Sequence, residues 1–528
     1  MATTQTLSPP INRLPSEILI RIFLYAAESQ YCTLRKNTHR FTPITPDYPD
    51  SLLLVSSRWH DIAISLHSLW SHIDIVLSCP QSAGFLARAK VYASRAGQIP
   101  LDIHIIDPGT HLRYQLARPP RFFVGDFNSS EDENENNNDM EHDNNEEDSD
   151  EDGSDDDLAF TVSSENEMET DSFPETHQFS CLDPTLASVP ICSIDLVAHC
   201  KYHMSQLAAL QYYLSRCAPG TLRQLLVHTH LPDDKPLGHF IEHGYVGRSL
   251  NIKREGLERP MGTLSTLHLK GLYLYWTSQA YRELTDLYLG GMVRIPEHQL
   301  IEILKSNPRL QALRLSCWIT DPTARRYETG LFQDEPPFDV YLESLKILDI
   351  HALDCENATL LLRRLSYSSN PLCLCLPRVD RDDDVSHVLF RSKNLNVTEL
   401  RITSCNLDGL YEYLEKYSKL RVLVIGRWRE SKNTINLLVL PKCGRDLWWY
   451  YPGKKSELCL DTLYMTRLRI PENELQIMVD YYSVRRVVLW GCVVVRSGGK
   501  TRYEESKITA LCPIVDILDG SKPSPVRE

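Results

Sequence analysis

The sequence predicts an α/β protein in which a few N-terminal helices precede an array of alternating strands and helices built on a parallel sheet. Two observations predict this fold class. A short pattern of apolar residues recurs along the second half of the chain, with helix-like runs between its copies. In addition, two apolar stripes with three- and four-residue steps lie within the first 66 residues, a spacing that is typical of amphipathic helices.

The length and the charge limit the possible organisation. A chain of 528 residues is too long for one ordinary core, so several domains or one elongated array are expected. The formal net charge of -14 is local, because residues 131–157 hold sixteen Asp and Glu and no Lys or Arg. Residues 125–180 contain few apolar side chains, so we expect disorder there. Ser149 and Ser154 would suit an acidophilic kinase, although an inert solvated loop is the simpler interpretation.

The cysteines and the start of the chain bear on the compartment. Fifteen cysteines are scattered along the chain, and its first residues lack the basic start and apolar core of a secretory signal. We therefore expect the cytosol or the nucleus, with reduced thiols. No apolar run reaches about 18 residues, so no membrane-spanning helix is expected. We expect neither a membrane nor a nucleic acid as a partner.

Three short helical elements are predicted at the N-terminus. The first begins at Leu14-Pro15-Ser16-Glu17, because proline in a first turn has no amide proton to leave unpaired, and it ends near Glu28. A second begins at Asp50 or Ser51, either of which can cap it. The pair Leu69-Trp70 forms a third apolar patch and leads into a short strand at residues 73–75. The two helical stripes consist of Leu14, Ile18, Leu19, Ile22, Phe23 and Ala26, and of Leu52, Val55, Trp59, Ile62, Ala63 and Leu66.

These residues resemble the F-box motif. The run from Leu14 to Phe23 matches the start "LP-x-E-[IL]-L-x-x-IF", the run from Leu52 to Trp59 matches "L-x-x-V-x-x-x-W", and Leu69-Trp70 supplies the terminal Leu-Trp pair. Three ordered elements with compatible spacing are a specific signal. Two features depart from the motif: the stretch between the first two helices is long, and Ser57 stands where cysteine is usual. The long-linker form is similar to F-box proteins of mushroom-forming fungi.

The resemblance implies a module that binds the small Skp-type adaptor of Skp-cullin-F-box ubiquitin ligases. Physically, a short helical segment cannot bury two wide stripes on itself, and each large apolar side chain left exposed forgoes roughly 1.5 to 3 kcal/mol, so a partner is expected. The alternative is that the two stripes simply pack on each other. The implied residues, in the interface or supporting it, are Leu14, Pro15, Ile18, Leu19, Ile22, Phe23, Leu52, Val55, Trp59, Leu69 and Trp70.

From Thr221 onward the pattern apolar-x-x-apolar-x-apolar recurs, and this is the strand signature of a leucine-rich repeat. A period of 26 residues recurs between copies, and helix-like runs lie at 296–307, 354–367, 407–417 and 471–482. Cys405 and Cys492 occupy the Asn/Cys position of the repeat, where a small thiol fits a tight turn, so both are interpreted as structural. The copies begin at Leu222, Leu264, Leu284, Leu310, Leu345, Val397, Leu420, Leu460 and Val484, with Leu374 and Leu376 in an intervening strand.

The expected organisation is therefore an N-terminal three-helix F-box followed by a leucine-rich-repeat-like solenoid with a parallel sheet. A helix at 82–96 and a strand at 101–105 form the first repeat after the F-box, and residues 195–217 form a helical run. The predicted divisions are a flexible tail at 1–10, the F-box at 11–76, the first repeat or repeats at 77–124, the disordered acidic insertion at 125–180, the array at 181–515 and a flexible tail at 516–528.

The sequence gives no indication of an enzyme active site, since it contains no nucleophile elbow, phosphate loop or dinucleotide fingerprint. The run from His199 to His203 lacks a second ligand pair at zinc spacing, so no metal and no cofactor are expected. A loop at 426–458 carries aromatic residues beside cations, a combination that is typical of binding hot spots. Its candidate substrate-binding residues are Trp448, Trp449, Tyr450 and Tyr451, for which packing over the edge of the repeats is the alternative.

The predicted function is that of a non-catalytic substrate receptor. The N-terminal module would bind the adaptor and through it cullin, while the repeats hold an unidentified protein substrate for other subunits to ubiquitinate. The receptor then supplies proximity and no chemistry of its own. An adaptor-bound scaffold without a role in degradation is the alternative, and co-precipitation of cullin would distinguish the two. An enzyme hidden in the repeats would need a pocket of converging titratable groups.

Overall fold

A computed structural model gives the fold. It describes residues 10–29, 48–77, 82–107, 189–198, 202, 204–229, 239–240, 254–320, 340–366, 369–376, 395–402, 414, 417–426, 438–439, 456–495, 512–518 and 524–526. Over these residues the protein is an α/β fold with eight α-helices and a parallel sheet of fourteen strands.

The large sheet contains strands from both ends of the chain. Its strands are β1 (His72–Val76), β2 (Leu101–Ile106), β3 (Ile191–Ala198), β4 (Gln224–Thr229), β6 (Thr266–Lys270), β8 (Asp286–Pro296), β9 (Ala312–Thr320), β10 (Ile347–Asp349), β11 (Leu372–Cys375), β12 (Val397–Ile402), β13 (Val422–Gly426), β15 (Thr462–Thr466), β17 (Arg486–Trp490) and β19 (Ile514–Leu518). They lie side by side in the order in which they occur along the chain.

Two smaller parallel sheets complete the described strands. They consist of β5 (His239–Phe240) with β7 (Leu272–Tyr273), and of β14 (Leu438–Val439), β16 (Leu468–Pro471) and β18 (Val493–Val495).

Helices connect many of these strands. Parallel pairing requires such connections, because the chain must return to the end of the sheet where the strands begin before the next strand can start. They are α1 (Ser16–Ser29), α2 (Ser57–Ser65), α3 (Ser82–Ala96), α4 (Met204–Arg216), α5 (Arg254–Met261), α6 (Glu297–Lys305), α7 (Cys355–Leu362) and α8 (Glu472–Tyr481). Short 3-10 helices lie at Pro10–Arg13, Asp50–Leu54, His67–Trp70 and Gln279–Tyr281.

Leucines in register across neighbouring strands form the centre of the core. Leu267 pairs with Leu287, Leu287 with Leu313, Leu313 with Leu348 and Leu348 with Leu374, and all five are fully buried. Alternate residues of a strand point to opposite faces of a sheet, so these leucines share one face. One continuous apolar cluster on this face includes residues from α1 and α2 at the N-terminus and from β17 near the C-terminus.

A buried asparagine joins a helix to the strand that precedes it in the sheet. Asn307, two residues after α6, donates from Nδ2 to the carbonyl oxygens of Tyr281 at 2.7 Å and Ile303 at 2.6 Å. Its Oδ1 accepts from the backbone N–H of Leu284 at 2.6 Å. The end of α6 is thereby tied to the chain that enters β8.

The opposite side of the large sheet, which we call the polar face, carries polar and charged side chains at many of the positions that alternate with the core residues and apolar ones, such as Val424, at others. Across its centre Arg314 contacts Asp286 at 2.6 Å, and His268 contacts the same carboxylate at 3.0 Å. Burial would raise the pKa of Asp286, but His268 and Arg314 together hold it below its usual value. Further along, Arg401 contacts Glu399 at 2.7 Å.

Most predicted elements are confirmed. The predicted strands that begin with the pattern at Leu222 and at the later positions correspond to β4, β6, β8 to β13, β15 and β17, and the helices at 296–307, 354–367 and 471–482 correspond to α6, α7 and α8. The predicted helix 82–96 and the strand after it are α3 and β2. The coarse expectation, an α/β protein with a large parallel sheet, is therefore confirmed.

Two predicted helices are wrong in part. The run 195–217 begins within strand β3, which ends at Ala198, and the described helix in it is α4 from Met204 to Arg216. The second N-terminal helix does not start at Asp50 or Ser51 as an α-helix. Residues Asp50–Leu54 form a 3-10 helix, and α2 begins at Ser57, because the Ser56 side chain accepts a hydrogen bond from the Trp59 amide at 3.2 Å and caps the helix there.

The C-terminal end also differs from the predicted tail at 516–528. Strand β19 continues to Leu518, and Val526 is buried against Cys375 and Val424 on the polar face. Several predictions fall outside the described residues, namely the disordered insertion at 125–180, Cys405, most of the helix at 407–417 and the aromatic cluster from Trp448 to Tyr451. None of the helices in the described part of the chain combines the length and the hydropathy needed to cross a bilayer.

Candidate functional site

The N-terminal elements pack into one unit. The rings of Phe23 in α1 and Trp59 in α2 lie 4.9 Å apart, and Arg58 donates to the carbonyl oxygen of Leu14 at 2.6 Å and to Ser16 Oγ at 3.3 Å. The start of α1 therefore lies beside the first turn of α2. Each of these contacts joins residues that are distant in sequence, which is why periodicity alone could not predict the angle between the helices.

A second set of contacts fixes this unit to the sheet. Trp70, directly before β1, is fully buried, and its indole N–H donates to the carbonyl of Ala63 at 2.9 Å. The guanidinium of Arg95 from α3 lies 4.3 Å from the Trp70 ring centroid. Trp70 thus contacts α2 on one side and α3 on the other.

A polar cluster anchors the 3-10 helix at Asp50–Leu54 to α3. Asp50 Oδ2 contacts Arg88 Nε at 3.1 Å and accepts from the Tyr92 hydroxyl at 2.8 Å. Burial raises the pKa of Tyr92 well above its usual value, and the hydrogen bond to Asp50 acts in the same direction although Arg88 opposes it. Tyr92 therefore stays a neutral donor, which fixes Asp50 in place.

The structure divides the predicted adaptor-binding residues into two groups. Six are buried in the chain's own core, so of the two places expected for them, in an interface or beneath it, their burial favours the second. They are Leu19, Phe23, Leu52, Trp59, Leu69 and Trp70. The remaining five lie at the surface: Leu14 is half-buried, while Pro15, Ile18, Ile22 and Val55 are exposed.

The exposed apolar residues form what we call the exposed apolar surface, defined as Ile11, Pro15, Ile18, Ile22, Tyr25, Leu54 and Val55. In α1, Ile18, Ile22 and Tyr25 follow one another at steps of four and three residues, so they share one helix face. The other face carries the buried Leu19 and Phe23. The exposed fractions are 41% for Ile18, 87% for Leu54 and 52% for Val55. The contact of Arg58 with Leu14 brings the start of α1 beside the first turn of α2, which Leu54 and Val55 precede in the chain.

Three members of this surface were not among the predicted site residues. Tyr25 lies seven residues after Ile18, so the helical period contained a signal for it. Ile11 and Leu54 gave no such signal, because the sequence pattern did not indicate the 3-10 helices at Pro10–Arg13 and Asp50–Leu54 that carry them.

Two other predicted residues can be placed. Cys492 is buried, and its thiol donates to the carbonyl oxygen of Met465 at 3.1 Å, as a structural residue at a tight turn would. Burial raises the pKa of this thiol to about 12. In contrast, the residues from Trp448 to Tyr451, with their predicted role in substrate binding, lie outside the described part of the chain.

Comparisons with known proteins do not add a function. No family model matches the chain, and no curated protein is similar enough to count as a relative.

Proposed function

We propose that this protein is an F-box substrate receptor, in which the exposed apolar surface binds a Skp-type adaptor and the polar face of the sheet holds a protein substrate. The observation that carries the proposal is that α1 has two apolar faces. One is buried against α2, and the other, with Ile18, Ile22 and Tyr25, is exposed.

The energetics favour a partner for this surface. Burying a large apolar side chain gains roughly 1.5 to 3 kcal/mol, and contiguous apolar surfaces on single chains are typical of binding sites. Ile18 and Val55 each keep a large exposed fraction and belong to the stretches that match the F-box motif. The identity of the partner, a Skp-type adaptor, comes from that resemblance.

The contacts beneath the surface suit a receptor that must hold its adaptor at a constant position. Arg58 joins α1 to α2, Trp70 joins α2 to α3 and the start of the sheet, and Asp50 joins the 3-10 helix to Arg88. A ligase receptor acts by bringing a substrate near the reactive subunit, so a rigid connection between its two binding sites is what the function requires.

The sheet would form a leucine-rich-repeat-like solenoid, with the polar face as its substrate-binding surface. Two features support this proposal. The fourteen strands follow their order in the chain, and the aligned leucines from Leu267 to Leu374 place equivalent residues at equivalent positions. Charged residues such as Asp286 and Arg314 are partly exposed, so a protein substrate can contact them. Such a receptor would act in the cytosol or the nucleus and would have no catalytic role.

The proposal is tested by measuring the affinity of the full chain for a purified Skp-type adaptor. The double variant Ile18→Asp, Val55→Asp places charges in the exposed apolar surface and should weaken binding at least about a hundredfold, because two apolar contacts are lost. Tyr341→Asp is the matched control, since Tyr341 is another exposed large hydrophobic residue and lies outside the N-terminal elements. Equal binding by the double variant and the wild type would overturn the proposal.

A further inference from the structure

Five histidine and aspartate side chains meet on the first three strands of the polar face. In β1 and β2 the backbone register pairs His72 with Asp102 and Asp74 with His104. Asp195 of β3 is the next residue along the same row, because it pairs with His104. Residues about thirty positions apart or more in sequence are therefore neighbours only because the strands are parallel and in this register.

Two imidazole nitrogens point at one carboxylate oxygen. Asp74 Oδ1 lies 3.1 Å from His72 Nε2 and 3.2 Å from His104 Nδ1. One ligand atom from each of these three residues lies within 4.8 Å of the other two. Ligand atoms around a zinc ion, bound at about 2 Å each, are separated by about 3 Å. The two separations from Asp74 Oδ1 to the imidazole nitrogens are close to that value, so one cation can lie between the three atoms.

The far side of each imidazole also faces a carboxylate. His72 Nδ1 lies 2.8 Å from Asp102 Oδ2, and His104 Nε2 lies 3.9 Å from Asp195 Oδ2. Histidines that bind metals usually present the second ring N–H to a carboxylate, a carbonyl or a water, which fixes the tautomer and the orientation of the ring. His72 has that arrangement at Asp102, whereas His104 Nε2 lies beyond hydrogen-bond distance of Asp195.

Counting protons favours a cation. A neutral imidazole has a single N–H, so it can donate to only one of the two carboxylates that it faces. His72 faces Asp74 and Asp102 within hydrogen-bond distance, so it needs either a second proton or a metal ion on the nitrogen that points at Asp74. One divalent cation satisfies both nitrogens and Asp74 Oδ1 together.

The surroundings also suit a bound ion. His104 is fully buried and Asp74 nearly so, whereas the His72 side chain is 36% exposed, so the site has one side open to solvent. An aspartate is ordinarily ionised at neutral pH, and the carboxylate is the form that a metal requires.

We propose that His72, Asp74 and His104 bind a zinc ion, and that Asp102 orients the His72 imidazole. Zinc fits this set of two imidazoles and one carboxylate, whereas magnesium and calcium prefer oxygen ligands alone. Three protein ligands leave a further coordination position for water or for a group of a partner. The inference departs from the expectation of no metal, which rested on short ligand spacings that a site assembled across strands does not need.

The position of the site indicates its effect on the protein. The ion joins β1 to β2 at the edge of the large sheet, directly after Trp70, which connects the N-terminal helices to the sheet. An ion that binds only the folded state stabilises it by mass action. The zinc ion would thus strengthen the strand pair nearest the exposed apolar surface.

The test is a titration of the full chain, first treated with a chelator, with Co²⁺ followed by Zn²⁺. The wild type should bind one Co²⁺ that gives visible absorption bands without the strong near-ultraviolet band of a cobalt–thiolate bond, and Zn²⁺ should displace it. The missing thiolate band matters because the chain also has 15 cysteines. His72→Ala should abolish this signal, and Asp102→Asn should weaken binding about tenfold or more.

A control and two contrary outcomes complete the test. His268→Ala removes another polar-face histidine that contacts an aspartate, so it should leave the cobalt signal unchanged. Circular dichroism of each variant checks that it is folded, and the partly exposed Asp102 makes Asp102→Asn the gentler substitution. The proposal is overturned if the wild type binds no Co²⁺ outside thiolate sites, or if folded His72→Ala and Asp102→Asn both bind as the wild type does.

Discussion

Cys317 shows how burial controls the chemistry of a single side chain. It lies in β9 at an exposed fraction of 1%, and burial raises the pKa of its thiol to about 12. Cys492 has the same direction of shift for the same reason, whereas Cys459 is exposed. Because the thiolate is the reactive form, the raised pKa and the lack of access both protect Cys317 from reaction with thiol reagents.

The expected consequence is selective alkylation. A brief treatment of the native protein with iodoacetamide at about pH 8, near the ordinary cysteine pKa, should modify Cys459 and leave Cys317 and Cys492 as thiols. Peptide mass spectrometry measures the extent at each position, and the same treatment in denaturant serves as the control in which all three react. Equal modification of Cys317 and Cys459 in the native protein would contradict the packing of β9.

At the scale of single residues, the sequence predicted which side chains are buried better than it predicted which side chains contact each other. The aligned leucines, such as Leu287 and Leu313, follow from the recurring apolar pattern, because each occupies the same place in its copy. The partners of His72 and His104 could not be predicted, since nothing in the local sequence states which strand lies beside β1. Ile18 and Leu19 both belong to the predicted stripe, and only the packed helices show which of them stays exposed.

At the scale of elements, α6 and α7 are joined by a cluster of charges. Glu297, the first residue of α6, accepts from Arg363 at 2.9 and 3.0 Å and from Arg364 Nε at 2.9 Å. The carboxylate side chain is 9% exposed, and it also lies at a helix N-terminus, where a negative charge is favoured. Both arginines directly follow α7, so this contact sets the distance between neighbouring helices.

Glu297→Gln should therefore lower the free energy of unfolding by about 3 kcal/mol, because two partly buried guanidinium groups lose their shared anion. Urea denaturation followed by tryptophan fluorescence measures the change. Glu302→Gln is the matched control on the same helix, since its exposed pair with Lys305 at 3.7 Å should be worth about 0.5 kcal/mol or less. Equal effects of the two substitutions would show that the Glu297 cluster does not join the helices.

Element boundaries were predictable where local chemistry was decisive. Pro15 and Glu17 indicated the start of α1, which begins at Ser16. The start of α2 was missed because Asp50 and Ser51 are also good caps, and only the hydrogen bond to Ser56 decides among them. The last four residues of β3, 195–198, were included in a predicted helix that the described structure begins at Met204.

At the scale of the whole molecule, the parallel sheet follows from repetition. Recurrence of the apolar pattern predicted ten of its strands, and helices between them implied parallel pairing. The short strands β5, β7, β14, β16 and β18 carry two to four residues each, which is too little sequence to indicate a strand without its neighbours. The contact of Val526 with Cys375 and Val424 could not be predicted from the sequence either, because it joins distant parts of the chain.

The central claim, that the exposed apolar surface is where this protein meets its adaptor, is tested most directly by hydrogen exchange of the full chain with and without a Skp-type adaptor. Binding should slow the exchange of backbone amides between Ile11 and Tyr25 and at Leu54 and Val55, while amides of β4 to β19 stay unchanged. Protection confined to the sheet, or no protection anywhere at adaptor concentrations that saturate a known F-box protein, would contradict the claim.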